Sequence, residues 1–166
     1  MKSKVIVLSA CLLGMGIAVL FLWQVVVVQI TLPSHDGRCI YQDIASAGTK
    51  VCMRYIHSVE RTPVQGWFVL DSQGGFRALR TMTTGTGTGL PNIVDAVQVH
   101  WQGKWMVVSE NNAYVPQIPF YYLPLNDLHI VVGDRTVNLN GVSSGSRLLI
   151  TNQRMSLVKA LWQVMP

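Results

Sequence analysis

From Val5 to Ile30 the chain carries no charged residue, and only Lys2 and Lys4 precede that run. Nothing else in the 166 residues constrains the architecture so strongly. A helix of about 26 residues rises roughly 39 Å, enough to cross about 30 Å of hydrocarbon with some tilt. Leu, Val, Ile and Phe side chains favour insertion by about 0.3–0.6 kcal/mol each near the bilayer centre. Gln24 and Gln29 fall toward the far end of the run, and Trp23 stands where an amphipathic ring anchors at the interface. Lysines before the run and none directly after it predict a cytoplasmic N-terminus and an exported remainder. The chain is therefore divided at residue 30. Residues 1–30 read as a cytoplasmic tip and a single transmembrane signal-anchor, residues 31–166 as one exported domain.

Two other processing routes compete with an anchor. A cleavable signal peptide has an apolar core of 7–15 residues and a small-residue cleavage site; this run is longer and no such site follows it. Leu8-Ser9-Ala10-Cys11 resembles a lipobox. Few apolar residues precede Cys11, however, and the run continues far beyond it, so Cys11 reads as a small residue inside a membrane helix.

The exported part has the length of one domain. Net charge is +5, and +3 once Lys2 and Lys4 are set aside. The basic residues are scattered, from Arg38 to Lys159, without a stripe or cluster, so nothing supports a nucleic-acid surface. The hydrophobic pattern is mainly β. Residues 50–57 alternate with a period of two. Residues 66–70 and 76–81 flank Ser72-Gln73-Gly74-Gly75 as a hairpin, and Val97, Val99 and Trp101 face Trp105 and Val107 across Gln102-Gly103 as a second. Residues 128–132 and 136–139 meet around Gly133-Asp134, and residues 147–151 give a last strand. Turn signals at short intervals predict a β-sandwich or barrel-like domain. From Gln153 to Val164, apolar residues recur at three- and four-residue spacing, which predicts a short C-terminal helix capped by Thr151 or Asn152 and covering an open end or edge of the sheet.

Cys39 and Cys52 are the two cysteines beyond the apolar run, and an exported domain sits where disulfides persist. A bridge between them is expected, stabilising by about 3 kcal/mol on the chain-entropy estimate. The four histidines are dispersed, so no metal site and no cofactor are expected. The densest polar stretch is Tyr55 to Val64. His57 beside Ser58 invites a nucleophile-and-base reading, but adjacent strand residues point to opposite faces and no Gly-x-Ser-x-Gly elbow exposes a serine. The plainer reading is a strand end and bulge in which Ser58 and Glu60 bond backbone groups and Pro63 blocks further pairing; the other is a ligand-contacting corner. Thr84 to Pro91 alternates glycine with threonine; its amides could cradle an anion, but the Lys-Ser/Thr and helix of a nucleotide loop do not follow. A tight connection is the plainer reading.

Taken together, Tyr55, His57, Ser58, Val59, Glu60, Pro63 and Val64, followed by Gly87, Gly89, Leu90 and Pro91, resemble the motifs of a bacterial family known only as domain of unknown function 1850. A cysteine such as Cys39 upstream also fits. The resemblance implies a small exported or membrane-anchored bacterial protein. With the anchor read above, the expected location is the inner membrane, single-pass, with the N-terminus in the cytoplasm and the C-terminal domain in the periplasm. The resemblance implies further an association with tripartite transporters of the TAXI type (TRAP systems), whose permease or solute-binding protein would be the partner. Where an acidic residue is expected after Pro63-Val64, this chain has Gln65-Gly66. The expected role is a noncatalytic accessory or binding protein, with Tyr55, His57, Ser58, Glu60, Gly85, Gly87, Gly89 and Pro91 as its binding surface. The alternatives are a periplasmic hydrolase using Ser58 and His57, and a purely structural envelope protein.

Overall fold

The structure is a computed structural model that describes Met15, residues 21–85 and residues 98–164. Two antiparallel sheets share one core. The smaller comprises β1 (Gln24–Leu32), β2 (Arg38–Ala45), β8 (Ile118–Tyr121) and β11 (Arg147–Ser156), in the order β2-β1-β11-β8. The larger comprises β3 (Lys50–Ile56), β4 (Pro63–Leu70), β5 (Phe76–Thr83), β6 (Gln98–Gln102), β7 (Trp105–Val115), β9 (His129–Val132) and β10 (Arg135–Thr136), in the order β10-β9-β3-β4-β5-β7-β6. A helix, α1 (Leu157–Val164), follows β11 directly. Val26, Val28, Ile30, Leu148 and Ile150 from the smaller sheet pack with Val51, Met53, Leu70, Phe76 and Ile130 from the larger.

The expected hairpins form where the turn residues put them: β4–β5 around residues 71–75, β6–β7 around Gly103, and β9–β10 around Gly133. The apolar N-terminal run is the main correction. Its last residues are not membrane helix: Gln24–Leu32 is β1, an inner strand of the smaller sheet, and the boundary drawn after Ile30 falls within it. The reason is coverage on both faces. Val26, Val28, Ile30 and Leu32 face the larger sheet, while Val25 and Val27 pack with Met155 and Ala160 beneath α1. A strand buried on both sides loses the polar alternation of a half-exposed one, so its sequence reads as a continuous apolar run. Phe21 and Leu22 are helical, and Trp23 separates them from β1. Most of the expected span, residues 5–14 and 16–20, lies outside the described residues. Among the described residues no helix is long and apolar enough to cross a membrane.

The C-terminal helix is also shorter than expected and sits elsewhere. Residues 153–156 extend β11, pairing with Gln24 to Val27. The helix starts at Leu157 and lies on the outer face of the smaller sheet rather than at an end or edge. Ser156, not Thr151 or Asn152, serves its first turn, its hydroxyl accepting from the Lys159 N–H at 3.4 Å. Asn152 is buried and donates instead to the carbonyls of Asp71 (3.0 Å) and Gly75 (2.6 Å), stitching the β4–β5 turn to the smaller sheet. At the opposite side of the sandwich, the Arg135–Asp43 ion pair at 3.0 Å joins the two sheet edges. Beside it the Tyr41 phenol, pushed up to about 12 by burial and then by the Asp43 charge, stays neutral and donates to Asp43.

The expected disulfide is absent: Cys39 and Cys52 are free thiols. They stand on different sheets, in β2 and β3. The exposed Cys39 Sγ donates to its own strand at the Tyr41 carbonyl (3.2 Å). Cys52 is buried beside Trp67 in the cross-strand register, and burial pushes its thiol up against the opposing pull of Arg54 and Arg80. Thirteen positions of separation would suit a bridge across one turn, but here that separation spans the crossing from one layer to the other.

Two outcomes follow. Iodoacetamide applied without reductant to the native protein is expected to alkylate Cys39 rapidly and Cys52 only after denaturation, read by peptide mass spectrometry; a linked Cys39–Cys52 peptide would contradict the layer assignment. Ile30→Ala, which empties a fully buried position in β1, is expected to lower stability by about 2–5 kcal/mol. Urea unfolding followed by tryptophan fluorescence measures it, and a change near zero would mean that β1 is not part of the core.

Candidate functional site

Strand direction gives the sandwich two unlike ends. β1 and β3 both begin at the end that adjoins Trp23, here the proximal end. β3 finishes at the other, the distal end, where the β3–β4 loop (residues 57–62) turns. The first sequence motif meets Gly85, at the start of the second, at the distal end.

His57 closes that loop with three of its groups. Its N–H donates to the Thr62 carbonyl at 2.8 Å, its carbonyl accepts from the Arg61 N–H at 2.9 Å, and its Nδ1 accepts from the Glu60 N–H at 3.1 Å. Arg61 takes a left-handed conformation (φ 56°) to complete the turn. A non-glycine residue adopts that conformation only where its surroundings hold it. The result is a fixed knob that leaves Ser58, Val59 and Glu60 exposed, with Val59 71% accessible.

The second motif meets the first through Thr62. Gly85 follows β5, and a Cβ at that position would stand 2.9 Å from the Thr62 methyl. The fully buried Thr83 hydroxyl bonds both the N–H and the carbonyl of Gly85, at 3.2 and 3.1 Å, and pins the segment there. Glycine at 85 is therefore required by close approach, not by φ. Gly87, Gly89 and Pro91 lie outside the described residues.

Behind the knob, an open cleft of about 410 Å³ is lined by Arg54, Tyr55, Gln65, Trp105, Asp127 and His129, among others. Tyr55 forms one wall, its ring set edge-on to Phe120 at 4.9 Å and its phenol pushed up by burial, so it stays neutral. Arg54 and His129 are register partners on β3 and β9. Asp127, left-handed at φ 45° after a 3-10 turn over Pro124–Asn126, puts its Oδ1 3.2 Å from His129 Nε2. The cleft thus offers a guanidinium, an imidazole, a carboxylate and aromatic surface to an occupant, all in partly solvated positions. Of the expected site residues, Tyr55 lines it. His57, Ser58, Glu60 and Gly85 form the adjoining rim.

Sequence reasoning missed Arg54, Gln65, Trp105, Asp127 and His129. The spacing of Asp127 and His129, two apart, was a local clue to a shared strand face. The meeting of Arg54 with His129 depends on a strand pairing 75 positions apart, which no local pattern reveals.

Gly85→Ala is expected to lower stability by about 1–3 kcal/mol through the clash with Thr62. In a Thr62→Ser background, which removes the offending methyl, most of that cost should disappear. Denaturant midpoints of the two singles and the double report the coupling, and simple additivity would show that Thr62 and Gly85 are not in contact.

No curated protein and no solved structure matches this chain. A family model described as Domain of unknown function (DUF1850) matches residues 51–139, which hold the knob, the Thr62–Gly85 contact and every cleft residue named above. The match covers more than half of the chain and places it in the DUF1850 family.

Proposed function

We propose that this protein is a membrane-anchored, noncatalytic accessory protein whose distal end engages a partner, and that the partner belongs to a TAXI-type TRAP solute transporter, through its permease or its solute-binding protein. The reading places the β domain in the bacterial periplasm and the N-terminus in the cytoplasm. The observation that carries it is the rigid knob. His57 spends its backbone and its Nδ1 on the loop, which holds Ser58, Val59 and Glu60 outward as a small mixed apolar and polar surface next to the cleft. Such a surface binds at low ordering cost because it is already fixed. The transporter assignment rests on the family resemblance. A hydrolase built on Ser58 and His57 draws less support, since the engaged His57 nitrogen faces a main-chain N–H rather than the serine and Ser58 stands exposed in the turn.

The test is site-specific photocrosslinking in native membranes. A photoreactive residue at Ser58 of the full-length protein is expected to capture a transporter subunit, identified by mass spectrometry, while one at Gln73 on the proximal β4–β5 turn captures none. Repeated capture of neither a permease nor a solute-binding protein from Ser58 would overturn the transporter reading.

A further inference from the structure

The proximal end carries a second surface that the distal site does not use. Trp23, Phe21 and Leu22 are exposed there, at 61%, 58% and 76%. The first turn of α1 is tied to them, the Leu157 N–H donating to the Trp23 carbonyl at 2.8 Å. The helix then covers Val25 and Val27 with its inner side while leaving Leu161 and Trp162 in the open, Trp162 at 82%. Lys159 and Arg154 are exposed on the same stretch, and from Arg135 to Pro166 the sequence has no acidic residue. Next to Trp23 a shallow cleft of about 450 Å³ is floored by Val25, Val26 and Ile44 and edged by Arg154.

We propose that α1 and this cleft form a second membrane contact, in which Trp162 and Leu161 enter the bilayer interface beside Trp23 while Lys159 and Arg154 meet anionic headgroups. The chemistry is that of an interfacial helix: tryptophan rings at headgroup depth, cations toward anionic lipid, and apolar side chains at the acyl boundary. In the sequence, the charge-free run from Val5 leads directly into the exposed Phe21, Leu22 and Trp23, which argues for lipid rather than protein as the occupant. The inference rests on the anchored reading of that stretch. Two contacts instead of one would stop the domain from swivelling. The distal knob would then stand about 30 Å from the headgroups, the rise of nine strand residues along β1. At that height it faces the extramembrane part of a partner.

The full-length protein in vesicles of phosphatidylcholine and phosphatidylglycerol carrying brominated acyl chains tests this. Bromine is expected to quench the wild type more than Trp162→Phe, while Trp105→Phe, at the distal cleft, loses none of the quenchable emission. Lys159→Glu, or vesicles without phosphatidylglycerol, should reduce the Trp162 share several-fold. If Trp162→Phe leaves the quenchable emission unchanged while Trp23→Phe abolishes it, the anchor stands and the second contact is overturned. A protein that fails to float with vesicles at all overturns the anchor and this inference with it. Emission from Trp162 that shifts to the blue with protein-to-lipid ratio, without quenching, assigns the surface to a second copy and overturns it too.

Discussion

Burial of β1 from both sides is the constraint on which the other elements depend. Its even-numbered residues Val26, Val28 and Ile30 fill the space between the sheets, and its odd-numbered Val25 and Val27 form the seat of α1. Remove that strand and, among the described residues, β2 loses its only strand partner, β11 loses one of two, and α1 loses the surface that holds it. β-branched residues suit the position because a strand enclosed on both faces pays little for their stiff side chains and gains packing from each.

The segment recognised by the family model, residues 51–139, contains the whole larger sheet and β8 but neither β1 nor β11. It is therefore one layer of a two-layer object together with β8, an edge strand of the other. The inner face of that layer presents Val51, Met53, Phe76 and Ile130, which are buried because the flanking segments supply β1, β2 and β11 of the opposing sheet. The covering layer asks of its sequence chiefly apolar side chains of about the right size at the right period, a demand that many sequences meet. The knob, the Thr62–Gly85 contact and the cleft make narrower demands, and all of them lie on the recognised layer.

What was legible from the residues follows the range of the forces involved. The β4–β5, β6–β7 and β9–β10 hairpins are set by neighbours within a dozen positions, and their glycine-bearing turns announced them. β8 carries a proline in a four-residue edge strand and left no periodic signal. β1 was visible as apolar but not as a strand, because enclosure on both faces erases the period that tells strand from helix. The knob was legible as a polar cluster bounded by Pro63, whereas its closure by His57 needed the loop geometry. The cleft was hidden, since Arg54, Trp105 and His129 come from three strands. The disulfide failed for a related reason: spacing along the chain gave no sign that Cys39 and Cys52 belong to different layers.

The pairing of β1 with β11 also orders events in time. Val28 lies opposite Asn152, about 120 residues later in the chain, so β1 emerges long before its inner partner exists. Until β11 arrives, a valine-rich strand has one paired edge at most, with β2, and one edge open to other chains. Closing so long a loop is slow compared with forming the hairpins between. The smaller sheet is thus the last layer to complete, and α1, which follows β11, can seat only after it. The newly made chain passes through a stage in which the site-bearing sheet is formed but its floor is missing, and that stage is where a holding factor or the membrane itself would matter most.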